Sequence, residues 1–407
     1  MASASASQEY FCNKLAGILA SRKDQVLDIE ILPPGFGPLL HEGTSIGITK
    51  KALTQAFIVA REKFFHQSNR AESLGMTGNV NEEERQAKEL EMLMATEIIL
   101  LFDSEHITAC NWRKRRLIKL GNGKPSLIHF VKALEAERTF TTCLLRSSLY
   151  RHAKSPTLWQ HRHWVMRKLL GMSLDPLAFM SSSPNRGHIS PLSASRKAVS
   201  KELLQTELSV VLQAGEKHPK NYYAFSYLRQ FLVMLACHQA EYTRHHEYDL
   251  PEIHTQAALL NIPLTEFNPR IIQTLASFII DQTHEWCLAH PRDISGWMFL
   301  MYVLELTVDD EIQQSVVERT VRFAVDVGWD GESLWIFVDL STAKLGIDLD
   351  LLGVLNDSAR AKYGAEVLAQ GKRWEKWIKG AKASRSARAM GGEGNGVIPP
   401  SSGLGAA

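Results

Sequence analysis

The stretch Ser155-Pro156-Thr157-Leu158-Trp159-Gln160-His161-Arg162-His163-Trp164 decides the fold, because its frame recurs. Counting back from Trp159, His152 lies seven residues earlier, Lys154 five and Ser155 four. Phe225 has His218, Lys220 and Asn221 at the same distances, and Trp297 has His290, Arg292 and Asp293. A fourth copy, Asp103 to Arg113, puts Cys110 in the aromatic slot, three residues before Arg113, as Trp159 stands three before Arg162. Each copy reads as a helix–turn–helix junction. Ser155, Asn221 and Asp293 are residue types whose side-chain oxygen caps a helix N-terminus. Pro156 takes the first helical position, where a missing N–H costs nothing, whereas Pro219 and Pro291 end the preceding helix. The aromatic then falls one turn into the second helix, facing its partner. A helical hairpin cannot bury its apolar face alone, so repeated hairpins imply a stack.

Working outward, helices come in pairs. Asn81 followed by three glutamates starts a helix ending near Phe102, with acids suited to the helix dipole. Residues 108–120 complete the first hairpin. The second is 126–151 with 157–170, the third 196–217 with 222–237, and the fourth 271–289 with 294–306. Residues 309–327 and 333–345 make a fifth, with Trp335 in the aromatic slot. The Ser/Pro-rich 171–195 and the His-rich, proline-broken 239–268 read as insertions. Residues 1–80 form an N-terminal segment of one or two helices and a linker, with Val26 to Leu32 either extended or packed on the array. The repeat domain spans 81–379, including a last helix over 351–379, and 380–407 is a Gly/Ser/Ala tail expected to be disordered. Strands need an alternation of period two, and no convincing sheet is predicted anywhere. The predicted class is all-α, a right-handed α-α solenoid of helical hairpins resembling tetratricopeptide repeats.

Composition excludes several classes of function. The 407 residues carry a formal net charge of +2, so no strong field for nucleic acid or membrane is implied. The longest greasy run, Ile98 to Phe102, is far too short to cross a bilayer, so no stable membrane insertion is expected. The start lacks the basic and apolar regions of a signal peptide. Five scattered cysteines, never in a CxxC pair, favour free thiols in a reducing, cytoplasmic setting. The final Gly-Leu-Gly-Ala-Ala holds no prenylation box.

Pro219-Lys220-Asn221-Tyr222-Tyr223-Ala224-Phe225 is similar to the repeat of protein prenyltransferase α subunits, Pro-x-Asn-Tyr-x-x-Trp-x-x-Arg. Lys154 to Val165 keeps Trp159 and Arg162 but replaces Asn-Tyr with Ser155-Pro156, as in the branch of repeat-containing proteins. The resemblance covers roughly residues 95–305. Leu228 and Leu300 depart from it in the Arg slot.

The resemblance implies the non-zinc subunit of a heterodimer, a crescent of hairpins around a β subunit that holds the catalytic zinc, the isoprenoid pocket and the substrate cysteine. It implies transfer of an isoprenoid, geranylgeranyl rather than farnesyl, to a C-terminal cysteine of a protein, with the β subunit of the Rab geranylgeranyltransferase as partner. No catalytic residue lies in this chain alone, which binds no cofactor of its own. Lys220, Asn221, Tyr222 and Lys154 match the positions that approach the isoprenoid diphosphate, where cations and hydroxyl donors stabilise developing charge. A tetratricopeptide-like scaffold without transferase activity is the alternative.

The remaining signals read as structural. Trp159, Phe225, Trp297 and Trp335 are expected in the interhelical core. Arg113 and Arg162 are expected to hold a neighbouring hairpin by its last carbonyls, with pointing at a partner as the alternative, while the run Arg113 to Arg116 reads as a solvated face. His152, His218 and His290 fall at helix C-termini, where an imidazole donates to free carbonyls. No metal is expected: His161 and His163, two apart, diverge on one helix, and Glu241, His245, His246 and Glu247 lack a zinc spacing. Gly121 to Ser126 fails as a phosphate loop because Pro125 stands where Ser or Thr should follow Lys124.

Overall fold

The computed structural model describes residues 2–22, 24–73, 82–122, 127–173, 192–244, 269–329 and 331–347. The predicted last helix over 351–379, the tail, and the centres of both insertions lie outside these residues. The backbone divides into two compact units, residues 1–283 and 284–407.

The first unit opens with α1 (Ala2–Ser21), then β1 (Asp28–Leu32), β2 (Leu39–Glu42), β3 (Ser45–Thr49) and α2 (Lys50–Ser73). The sheet corrects the expectation of none. Its order is β1-β3-β2, with β3 parallel to β1 and antiparallel to β2. The alternation is present in fragments of five residues: Ile29, Ile46 and Ile48 point inward and are buried, while Glu30 and Ser45 point out. Such fragments are too short to stand out against the helical pattern around them. The predicted linker 66–80 is helical over 66–73, where α2 continues to Ser73, and its remainder lies outside the described residues.

Three hairpins follow: α3 (Glu82–Phe102) with α4 (Ile107–Asn122); α5 (Leu127–Leu145), through the single turn α6 (Tyr150–Ala153), with α7 (Pro156–Ser173); and α8 (Leu192–Lys217) with α9 (Tyr222–Arg244). Successive second helices pack on each other, α4 on α7 and α7 on α9. The last two turns of α3, Ala95 to Leu101, are buried on every side. A helix apolar all round needs neighbours all round, and α1, α2 and α4 supply them.

The unit boundary falls inside α10 (Pro269–Ala289). The second unit continues with α11 (Ile294–Leu306), α12 (Asp310–Asp326) and α13 (Glu332–Leu345), α13 packing on both α11 and α12. Gly296 in α11 lets Trp286 lie against the helix backbone: a Cβ there would meet Trp286 Cζ3 at 2.4 Å. The architecture is an all-α array of helical hairpins, carrying one small sheet near its N-terminus.

Candidate functional site

The recurring frame becomes a recurring corner. Leu158 N–H donates to Ser155 Oγ at 3.0 Å, and Ala224 N–H to Asn221 Oδ1 at 3.2 Å. Ser295 N–H donates to Asp293 Oδ1 at 2.9 Å. Each predicted cap is therefore a cap. In the Cys110 copy the cap is His106, whose Nδ1 accepts from Ala109 N–H at 3.2 Å. Sequence reasoning missed it, since imidazole is not a usual capping group.

Two caps also tie one module to the next. Ser155 Oγ donates to the Ser104 carbonyl at 3.0 Å, and Asn221 Nδ2 to the Ala153 carbonyl at 2.7 Å. Both acceptors lie two residues before the cap of the preceding module. The same carbonyl position accepts the indole of its own module: Trp159 Nε1 on Ala153 O at 2.8 Å, Trp297 Nε1 on Pro291 O at 3.1 Å, and Trp335 Nε1 on Trp329 O at 3.0 Å. All four expected core aromatics are buried.

The histidines divide. His152 Nε2 bonds the Leu100 carbonyl in the last turn of α3 at 2.9 Å, and His218 Nε2 the Ser147 carbonyl just after α5 at 3.2 Å. His290 instead turns back, its Nδ1 on Trp286 O of its own helix at 2.9 Å.

The motif arginines hold mid-helix groups and carboxylates rather than terminal carbonyls. Arg113 grips Glu137 of α5 through Nε and a terminal nitrogen, at 2.7 and 2.6 Å, and donates to Leu93 O and Thr96 Oγ1 of α3. Arg162 grips Glu207 of α8 at 2.7 and 2.8 Å, and donates to Arg138 O, Thr141 Oγ1 and Thr142 Oγ1 of α5. Each is buried, so the solvated-face reading fails at Arg113 and suits only the rest of its run; of that rest, Arg116 pairs with Glu89.

Burial alone would push the Glu137 carboxyl up, but Arg113, with His161 at 2.6 Å, holds it well below the usual carboxylate range. Burial, helped by the Glu137 charge, pushes the Cys110 thiol up to about 12. Sequence reasoning did not name the two glutamates. The signal was an acid at helical spacing on an apolar face: Leu204, Glu207, Leu208 and Val211.

The four residues matched to the diphosphate positions separate. Lys220 and Tyr222 are exposed at the corner entering α9, with Tyr222 58% and Tyr223 50% exposed. Lys220 has a left-handed backbone, φ 60°. Asn221 is completely buried, with both ends of its amide spent on the cap and on Ala153 O, so it faces no ligand. Lys154 is turned inward along the surface: its Nζ donates to Pro219 O at 2.8 Å and lies 4.8 Å from the Tyr150 ring centroid. Among the described residues, no group of three or more His, Cys, Asp or Glu is placed to hold a metal ion. His245, His246 and Glu247 lie outside them. No described helix is long and apolar enough to cross a membrane.

The family profile described as "Protein prenyltransferase alpha subunit repeat" matches residues 134–169 and 204–235, which cover most of the second and third hairpins. The human "Protein prenyltransferase alpha subunit repeat-containing protein 1" is similar to this chain, with 29% identity over 230 residues. That match takes in 56% of this chain and 44% of the relative, so the chain spans less than half the relative's length. Taken with the capped, arginine-pinned corners, these matches show that the second and third hairpins are protein prenyltransferase alpha subunit repeats.

Proposed function

We propose that this chain is the α-type, non-zinc subunit of a heterodimeric protein prenyltransferase. One observation carries the reading: a repeat-matched corner leaves Lys220, Tyr222 and Tyr223 exposed within four residues of chain. Prenyl transfer to a C-terminal cysteine expels a diphosphate. An ammonium and a phenol hydroxyl aimed at that group stabilise charge as it develops. Zinc, the thiolate it activates and the isoprenoid pocket belong to a β subunit. Geranylgeranyl transfer with the Rab-type β subunit, in the cytoplasm, is the specific form of this proposal.

One observation favours the scaffold alternative. Asn221 and Lys154 are spent inside the array, which leaves fewer groups for a diphosphate. Co-expression with each prenyltransferase β subunit separates the two readings. A stable pair whose prenyl transfer is lost in the Lys220→Ala, Tyr222→Ala double variant supports the enzyme subunit. Failure to pair with any β subunit leaves the scaffold.

A further inference from the structure

We propose that Lys154 is a positioning residue: it supplies the hydrogen-bond donor that the third corner lacks, and so fixes the turn carrying Lys220 and Tyr222. The argument starts from a carbonyl. Wherever tryptophan occupies the aromatic slot, its indole N–H donates to the carbonyl six residues earlier: Ala153, Pro291 and Trp329. In the third module the slot holds Phe225, which has no N–H to give. Six residues before it is Pro219, and Pro219 O is taken by Lys154 Nζ at 2.8 Å.

In the first module too, a neighbour's side chain reaches this carbonyl position. Cys110 fills its aromatic slot, and the matching carbonyl, Ser104 O, is served from outside by Ser155 Oγ at 3.0 Å. At Ala153 O a neighbour's donor, Asn221 Nδ2, joins the Trp159 indole; at Ser104 O and Pro219 O, where the slot has no indole to give, the neighbour's side chain is the donor. At the first corner the donor comes from the following module. At the third corner the donor comes from the preceding module, at Lys154.

The consequence falls on the next residue. Lys220, at φ 60°, sits in a region that costs a non-glycine residue about 1 kcal/mol or more and persists only where surroundings hold it. The carbonyl immediately before Lys220 is the one Lys154 grips. Tyr150, stacked under the Lys154 ammonium and edge-on to His218 at 5.5 Å, keeps the lysine stem on this path. Lys154 thus acts through the Lys220 turn, and its consequence for prenyl transfer rests on the function proposed above.

Amide hydrogen exchange of the purified full chain tests this without any transferase. Lys154→Met should speed exchange across residues 218–225 by about fivefold while leaving residues 157–165 unchanged. Phe225→Trp, added to Lys154→Met, should restore slow exchange by returning the indole donor, and Lys154→Arg should retain it. Unchanged exchange in Lys154→Met overturns the proposal. So does acceleration that neither Phe225→Trp nor Lys154→Arg repairs, or a loss of cooperative unfolding, which would make Lys154 a general fold determinant. If the exchange results hold but no β subunit pairs with the chain, the positioning stands and the transferase reading falls.

Discussion

Arg162 of α7 and Glu207 of α8 face each other fully buried, joined by two bonds of 2.7 and 2.8 Å. The pair ties the second hairpin to the third, and Tyr227 of α9 adds its hydroxyl to Glu207 at 2.5 Å. Taking away one member leaves an uncompensated charge in the core, at a cost of about 3 to 5 kcal/mol. Glu207→Ala should therefore lower the denaturant midpoint sharply. Replacing both together, Arg162→Met with Glu207→Leu, should cost less than Glu207→Ala alone, because no charge is then stranded. A double variant worse than the single would deny that the stranded charge sets the cost.

Acid should weaken the fold in two steps. Burial holds His152 below the ordinary imidazole value against the pull of the Leu100 and Leu101 carbonyls, and burial with Arg167 does the same for His163. Imidazoles in the unfolded chain titrate near ~6.5. A lower folded value means that the unfolded state takes up protons first, so their stabilisation is whole above ~6.5 and drains as pH falls below it. Glu137, held low in the fold, keeps its contribution until pH drops beneath ~4.3, the unfolded value. Melting temperature should be flat above pH ~7, fall from ~6.5, and fall again below ~4.3. His152→Gln should reduce the slope of the first step only.

Gly296→Ala should destabilise the second unit. The new methyl would sit 2.4 Å from Trp286 Cζ3 and 3.3 Å from Cys287 Sγ, so the tryptophan must shift. Overpacking of this kind costs about 1 to 3 kcal/mol. Trp286→Leu in the same chain should recover part of the loss, as read by thermal unfolding.

Asn221→Ala should cost about 2 kcal/mol, combining a lost helix cap with a lost buried hydrogen bond to Ala153 O. Asn221→Ser should recover most of it, because Ser155 performs both tasks with one hydroxyl at the preceding corner. If Asn221→Ala left stability untouched and instead weakened prenyl transfer in the paired enzyme, its place would be at the ligand.

The corners were legible in the sequence because they are local. Ser155, Asn221 and Asp293 cap within three residues of themselves, and the tryptophans bond six residues back. The fifth hairpin was equally plain, its observed helices starting and ending within a residue of the predicted ones. What crossed between modules was not legible. Glu137 and Glu207 look like surface acids until the helices that bury them are placed. Asn221 matched a ligand-facing position, yet its amide was needed 68 residues away at Ala153. The sheet escaped for a related reason: β1 pairs with β3 rather than with β2, which follows it in the chain, and its Ile29 carbonyl accepts from Ser148.

That last contact bears on how the molecule comes into being. Ser148 Oγ reaches Ile29 O at 3.2 Å, and the Leu27 amide rests on Cys143 Sγ at 3.1 Å, both across well over a hundred residues of chain. During synthesis the opening strands emerge from the ribosome long before α5 exists to receive them. Closing so long a loop is slow, and an unpaired strand edge is exposed in the meantime. A nascent chain of this protein therefore spends its early life as an unfinished strand edge beside a growing helical stack, a stage at which chaperones have something to hold.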